Sequence, residues 1–213
     1  MSATACTEAQ FLRDVADHEM TVLRDDGGNG RHARFSRPGT VCMHFDLITW
    51  PGYLCYTGDM GTYVFQRLTD MFEFFRTDRD YKKRNGAKLA VNLSYWGEKL
   101  QATDRDGYRK YSAEKFKANV MDWIEQRGLA GKLGHGLRDE LQSEVLDHAD
   151  DGADVAYRAA MDFVWNGKRV FPDFYEVDSD DYSHRFVWCC YALAWGIEQY
   201  DAAKRLAAEA VPA

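Results

Sequence analysis

The residues with the clearest chemical capacity lie in Val41-Cys-Met-His-Phe-Asp-Leu-Ile-Thr49 and in Trp50-Pro-Gly-Tyr-Leu-Cys-Tyr-Thr-Gly-Asp59, which follows it. In an extended chain successive side chains alternate between faces, so His44 and Asp46 share one face while Met43, Phe45 and Leu47 take the other. If Trp50-Pro51-Gly52 is a three-residue turn, Thr49 pairs with Tyr53, Asp46 lies opposite Tyr56, and His44 lies opposite Gly58. His44, Asp46, Tyr56 and Asp59 then gather at one end of a sheet face, a set able to hold a small ligand or move a proton. The same alternation is what the solvated outer face of an antiparallel sheet produces, and both readings stay open. Cys55 falls opposite Leu47 in this register, which argues against a bridge to Cys42. Trp50, beside a proline at a turn, is read as an exposed aromatic of the kind enriched in interface hot spots.

Other chemistries find no support in the spacing of residues. Neither G-x-G-x-x-G nor G-x-x-x-x-G-K-[ST] occurs, so no phosphate-cradling loop is expected. C-x-x-C, H-E-x-x-H and the nucleophile elbow G-x-S-x-G are also missing from the sequence. Asp147-His-Ala-Asp-Asp-Gly152 has alanine at the third ligand position of a calcium loop and Arg158 where the chelating glutamate belongs. No metal or cofactor is called for, and there is no catalytic signature. Five cysteines, an odd number in mostly apolar surroundings, read as reduced thiols of a cytoplasmic protein. Acidic residues stand where a signal peptide needs a basic and then an apolar run. The longest strongly apolar stretch, residues 186–197, falls short of the roughly 20 residues of a membrane span, so no membrane partner is expected.

Charge is unevenly spread. The chain of 213 residues carries a formal −7, which argues against broad nonspecific binding to nucleic acid. Residues 76–127 hold 13 Lys+Arg against 8 Asp+Glu, whereas residues 138–181 hold 4 against 13. These segments either neutralise one another or leave an acidic surface for a basic partner, formed by Asp139, Glu140, Glu144, Asp147, Asp150, Asp151 and Asp154. Tyr81, Tyr95 and Tyr108, within the basic segment, are candidate stacking platforms for a nucleic acid.

Positioning these residues requires an α+β fold. Met20 to Arg24, Arg31 to Ser36, Val41 to Thr49, Tyr53 to Thr57 and Thr62 to Gln66 are β-rich runs separated by glycine and proline turns. Such short connections favour an antiparallel meander, since a parallel return needs a crossover of about a dozen residues. Residues 4–18 suggest a short helix. From Leu68 the apolar period changes to three and four, with Met71, Phe72 and Phe75 on one helical stripe capped by Thr69 or Asp70. Residues 1–77 are thus expected to form the sheet with flanking helices, residues 78–111 a basic connection, and residues 112–213 a helical region packing on the sheet. In that region helices are expected from Ser112 to Gly128, around Leu137, Leu141 and Val145, over Val155 to Trp165, and from Tyr182 to about Ala208. Trp123, Trp165, Trp188 and Trp195 fall on apolar helical positions and read as core.

Two segments, FLRDVADHEMTVLRDDG…RHARFSRPGT…FDLITWPGYLCYTGDMGTYVFQRLTDMFEFFR and DYSHRFVWCCYALAWGIEQYD, resemble a family of small proteins encoded by tailed phages and prophages of proteobacteria. The likeness spans residues 11–77 and 180–201, with a looser fit between them. It implies an accessory protein acting in the cytoplasm of a bacterial host and assigns no catalytic residue. By analogy with accessory phage proteins of this size, the expected function is non-enzymatic binding of a host or phage protein, with inhibition of antiviral defence as its purpose. A small enzyme or nucleotide-binding protein built on the polar cluster, and a nucleic-acid-associated protein, are the alternatives.

Overall fold

The chain folds as α+β, and residues 6–77, 79, 86–105, 107–129 and 135–210 are described by a computed structural model. β1 (Glu19–Asp25), β2 (Arg31–Ser36), β3 (Phe45–Trp50), β4 (Tyr53–Gly58) and β5 (Gly61–Gln66) pair antiparallel in chain order, as the short turns require. β6 (Leu100–Thr103) joins beside β5, giving a six-stranded sheet in the order β1-β2-β3-β4-β5-β6. The third strand begins at Phe45 rather than Val41, because residues 41–44 turn and Met43 sits at φ 58°.

Two compact units divide the chain: residues 4–108 with 182–213, and residues 109–181 inserted between them. This differs from the division read from composition. Residues 78–111 are not simply a connection, since they contain α3 (Leu93–Gly97) and β6, and the long C-terminal helix belongs with the sheet.

In the sheet unit, α1 (Glu8–Asp14) starts at Thr7, whose hydroxyl accepts the Gln10 N–H, and is shorter than residues 4–18. Asp70 caps α2 (Met71–Arg76) by accepting the Phe72 N–H, which leaves Leu68 outside the helix and exposed. One sheet face supplies Phe35, Phe45, Leu47, Tyr56, Tyr63 and Phe65 to a core completed by Trp188, Leu193 and Ile197 of α7 (His184–Glu209). Trp96, on α3, is buried in the same core. Gly196 sets the distance between helix and sheet, because a Cβ there would lie 2.9 Å from Leu47 Cδ1 and 3.2 Å from the Phe35 ring.

The inserted unit has its own core of Phe116, Val120, Ile124, Leu137, Leu141, Val145, Phe171 and Phe174. β7 (Arg109–Tyr111) leads into α4 (Ala113–Gln126), capped by Ser112 and followed by Gly128 at φ 65°. α5 (His135–Leu141) runs into a π turn, Gln142–Leu146, and a 3-10 turn, Asp147–Asp151, before α6 (Ala153–Asp162). Trp165 lies in the small hairpin β8 (Val164–Trp165) and β9 (Lys168–Arg169), not in a helix. β10 (Asp180–Tyr182) pairs with β7, and the Ser112 N–H donates to Ser179 O at 2.9 Å.

Candidate functional site

The turn between β3 and β4 has two residues, Pro51 and Gly52, so Trp50 pairs with Tyr53 and every later pair moves by one: Asp46 with Thr57, Leu47 with Tyr56, Phe45 with Gly58. A one-residue slip exchanges the faces of a strand. Tyr56 therefore points into the core, fully buried, with its ring 5.6 Å from Phe45. Burial pushes its hydroxyl well above the usual tyrosine range. It does not join Asp46, and the expected four-residue cluster divides.

His44 lies ahead of β3 and pairs with Asp59, its Nδ1 3.1 Å from Asp59 Oδ1 and 2.7 Å from Val41 O. Asp59 in turn accepts the Met43 N–H, and its own N–H donates to His44 O at 3.1 Å. Gly58 permits this approach, since a Cβ would lie 2.2 Å from His44 O. These contacts tie the chain before β3 to the turn between β4 and β5.

Asp46 stays on the opposite sheet face from Tyr56 yet is only 5% exposed. Arg34 donates to it twice, from Nε to Oδ1 at 2.8 Å and from Nη2 to Oδ2 at 2.9 Å, while His32 Nε2 lies 2.8 Å from Oδ2. Burial raises the Asp46 carboxyl, but the hydrogen bonds from Arg34 and His32 outweigh that and hold it below the usual carboxylate range. Both partners come from β2, where the pairing of Arg34 with Asp46 sets them beside it. The result joins two strands through a carboxylate with both oxygens occupied. Arg34 and His32 were not among the expected site residues, although their alternation in Arg31-His-Ala-Arg34 is the signal that marks them.

Trp50 is 41% exposed at the far end of β3, stacked on Tyr53 with centroids 5.3 Å apart. It is separated from Asp46 by four residues of strand, about 13 Å. Thus Trp50, Asp46, Tyr56 and the His44–Asp59 pair occupy different places in the sheet unit.

The seven acidic residues lie along consecutive helical segments of the inserted unit. Leu137, Leu141, Val145 and Ala149 are buried at intervals of four, and a straight α-helix would rotate that stripe by roughly 40° per step. The π turn, Gln142–Leu146, takes up the difference by widening the winding. With one side held inward, Asp139, Glu140, Glu144, Asp147, Asp150, Asp151 and Asp154 are all exposed. Lys117 Nζ reaches Asp150 at 2.7 Å, and its hydrogen bond lowers that carboxyl; His148 lies 3.1 Å from Asp151. Asp139, Glu140, Glu144, Asp147 and Asp154 close no ion pair among the described residues, although Asp147 accepts from Gln142 Nε2 at 2.6 Å.

Part of the basic segment is engaged within the fold. Arg76 and Arg79 both bind Asp201, Tyr95 packs 5.5 Å from Phe74, and Tyr108 packs 5.4 Å from Phe186. Tyr81 lies outside the described residues. Cys6, Cys189 and Cys190 are buried, and burial raises all three thiols, Cys6 to about 11. Cys42 departs from the packed thiol expected of a strand: it is exposed, because its segment turns. Among the described residues no group of three His, Cys, Asp or Glu side chains is placed to hold a metal ion, and no helix is long and apolar enough to cross a membrane.

Comparison with protein-family models, curated proteins and solved structures found no match to the chain.

Proposed function

We propose that this is a non-enzymatic accessory protein that binds a basic surface of another protein through the acidic face of its inserted unit. The observation that carries the reading is the run of residues 139–154, where seven carboxylates face solvent and five have no ion-pair partner among the described residues. Exposed carboxylates along a packed helical run keep their charge in water and steer a cationic partner towards it. The resemblance of residues 11–77 and 180–201 to phage and prophage proteins supplies the setting, a bacterial cytoplasm, and analogy with accessory phage proteins of this size supplies a host or phage protein as partner and antiviral defence as the system inhibited. The dispersal of His44, Asp46, Tyr56 and Asp59 favours this reading over an enzyme built on those residues.

Affinity capture of the tagged full chain from infected host cells, eluted along a salt gradient, tests it. The expected result is one dominant partner released at moderate salt and lost when the seven carboxylates are changed to their amides. A partner held equally well by the amide variant contradicts the reading.

A further inference from the structure

β1 forms one edge of the sheet, paired with β2 and with no strand on its other side among the described residues. An edge strand presents unpaired N–H and C=O groups to solvent, and proteins usually protect such edges with charged side chains, proline, a bulge, a covering element or short length. β1 is seven residues long, Glu-Met-Thr-Val-Leu-Arg-Asp, without lysine or proline, and exposes Val22 by 44% and Leu23 by 49%. The opposite edge, β6, has four residues.

β1 also contains a bulge between Val22 and Arg24, which leaves Leu23 without a partner on β2. Met20 lies opposite Phe35 and Val22 opposite Ala33, so both take the core side; Thr21, opposite Arg34, takes the outer side. After the bulge Arg24, opposite His32, is again on the outer side, where Glu19 also lies.

This pattern is self-complementary. With a second copy laid antiparallel about a two-fold axis at Thr21, Thr21 meets Thr21, Met20 meets Val22, and Val22 meets Met20. The bulge then sets Leu23 and Arg24 against Glu19 of the second copy, two residues against one. Each contact stays on one face: apolar pairs on the core side, and two Glu19–Arg24 ion pairs with a central pair of hydroxyls on the outer side. Moving the register by one residue sets core-facing against outer-facing side chains and loses this match. A two-fold contact requires that residue i meet j while j meets i, a condition this strand meets through its own charges. We propose that two copies of the chain associate through β1, joining two six-stranded sheets into one.

Light scattering of the full chain across a concentration series measures this. The expected mass rises from 24.5 kDa towards twice that value. Glu19→Arg and Arg24→Glu, each making both symmetric pairs repulsive, raise the dissociation constant about tenfold, and the combined variant restores it. Thr21→Lys, which sets two ammonium groups face to face, abolishes the dimer; circular-dichroism spectra matching the parent's and cooperative melting show that the variants remain folded. A constant mass of 24.5 kDa, a dimer indifferent to Thr21→Lys, failure of the combined variant to recover, or growth beyond a dimer overturns the proposal.

Discussion

The two units of the chain use charge in opposite ways. The sheet unit is close to balanced, with 17 Lys+Arg against 18 Asp+Glu, and many of its carboxylates join elements. Asp46 links β2 and β3, Asp70 holds Arg31 at 2.8 Å, Asp201 receives Arg76 and Arg79, and Asp25 receives Lys204 and the Tyr200 hydroxyl. The inserted unit has 10 Lys+Arg against 16 Asp+Glu, with a row of carboxylates in water. A carboxylate with both oxygens occupied by its own fold has little left for a partner. One held outward on an apolar scaffold keeps that capacity, at the expense of self-repulsion.

If the units have separate cores, damage to one should be contained. Phe174→Ala, in the inserted core, should destabilise that unit by about 3–5 kcal/mol. Hydrogen exchange should then rise across α4 to α6 while β3, β4 and β5 keep their protection; joint loss would contradict separate cores. Gly196→Val should act in the other unit, costing about 1–3 kcal/mol by forcing Leu47 and Phe35 away from α7. Thermal melting would register the loss, and a variant as stable as the parent would show that the helix does not need that close approach.

Asp46→Asn should lower stability at neutral pH by about 1–2 kcal/mol, because Arg34 and His32 lose their charged acceptor. The pH dependence has a fixed sign. Burial raises the Asp46, Asp70 and Asp201 carboxyls, and their guanidinium partners more than offset it; hydrogen bonds from Lys204 and Tyr200 bring Asp25 to about 2. Groups lowered on folding contribute stability above the unfolded value, about 3.9 for aspartate, and lose it as pH falls through the folded value. The melting temperature should therefore fall as pH drops from about 4 towards 2, and Asp46→Asn should flatten that slope. The smallest stability effect belongs to the amide variant of the seven acidic residues, within about 0.5 kcal/mol of the parent in chemical denaturation.

Turn chemistry made much of the sheet legible. Glycine and proline punctuate β1 to β5, and the change of apolar period marked α2. The register was not legible, because the two-residue turn at Pro51-Gly52 is held from elsewhere: the Gly52 N–H donates to Thr69 O at 3.0 Å, and the Arg67 N–H donates to Gly52 O at 3.3 Å. That one residue moved Tyr56 from the expected cluster into the core. β6 was hidden because Leu100-Gln-Ala-Thr103 is an edge strand of four residues, too short for its alternation to stand out from a loop. Arg34 and His32 could be placed on one face from alternation, but their meeting with Asp46 depends on the course of residues 37–44. The exposure of the acidic residues was easier to read, since charge beside an apolar stripe needs only local winding.

The most direct test compares three baits in the same infected cells: the parent, the amide variant of Asp139, Glu140, Glu144, Asp147, Asp150, Asp151 and Asp154, and Trp50→Ser. Quantitative mass spectrometry of the captured proteins should find the partner on the parent and on Trp50→Ser, and should lose it from the amide variant. Retention by the amide variant with loss from Trp50→Ser would contradict the acidic-face account and move the binding surface to the sheet unit.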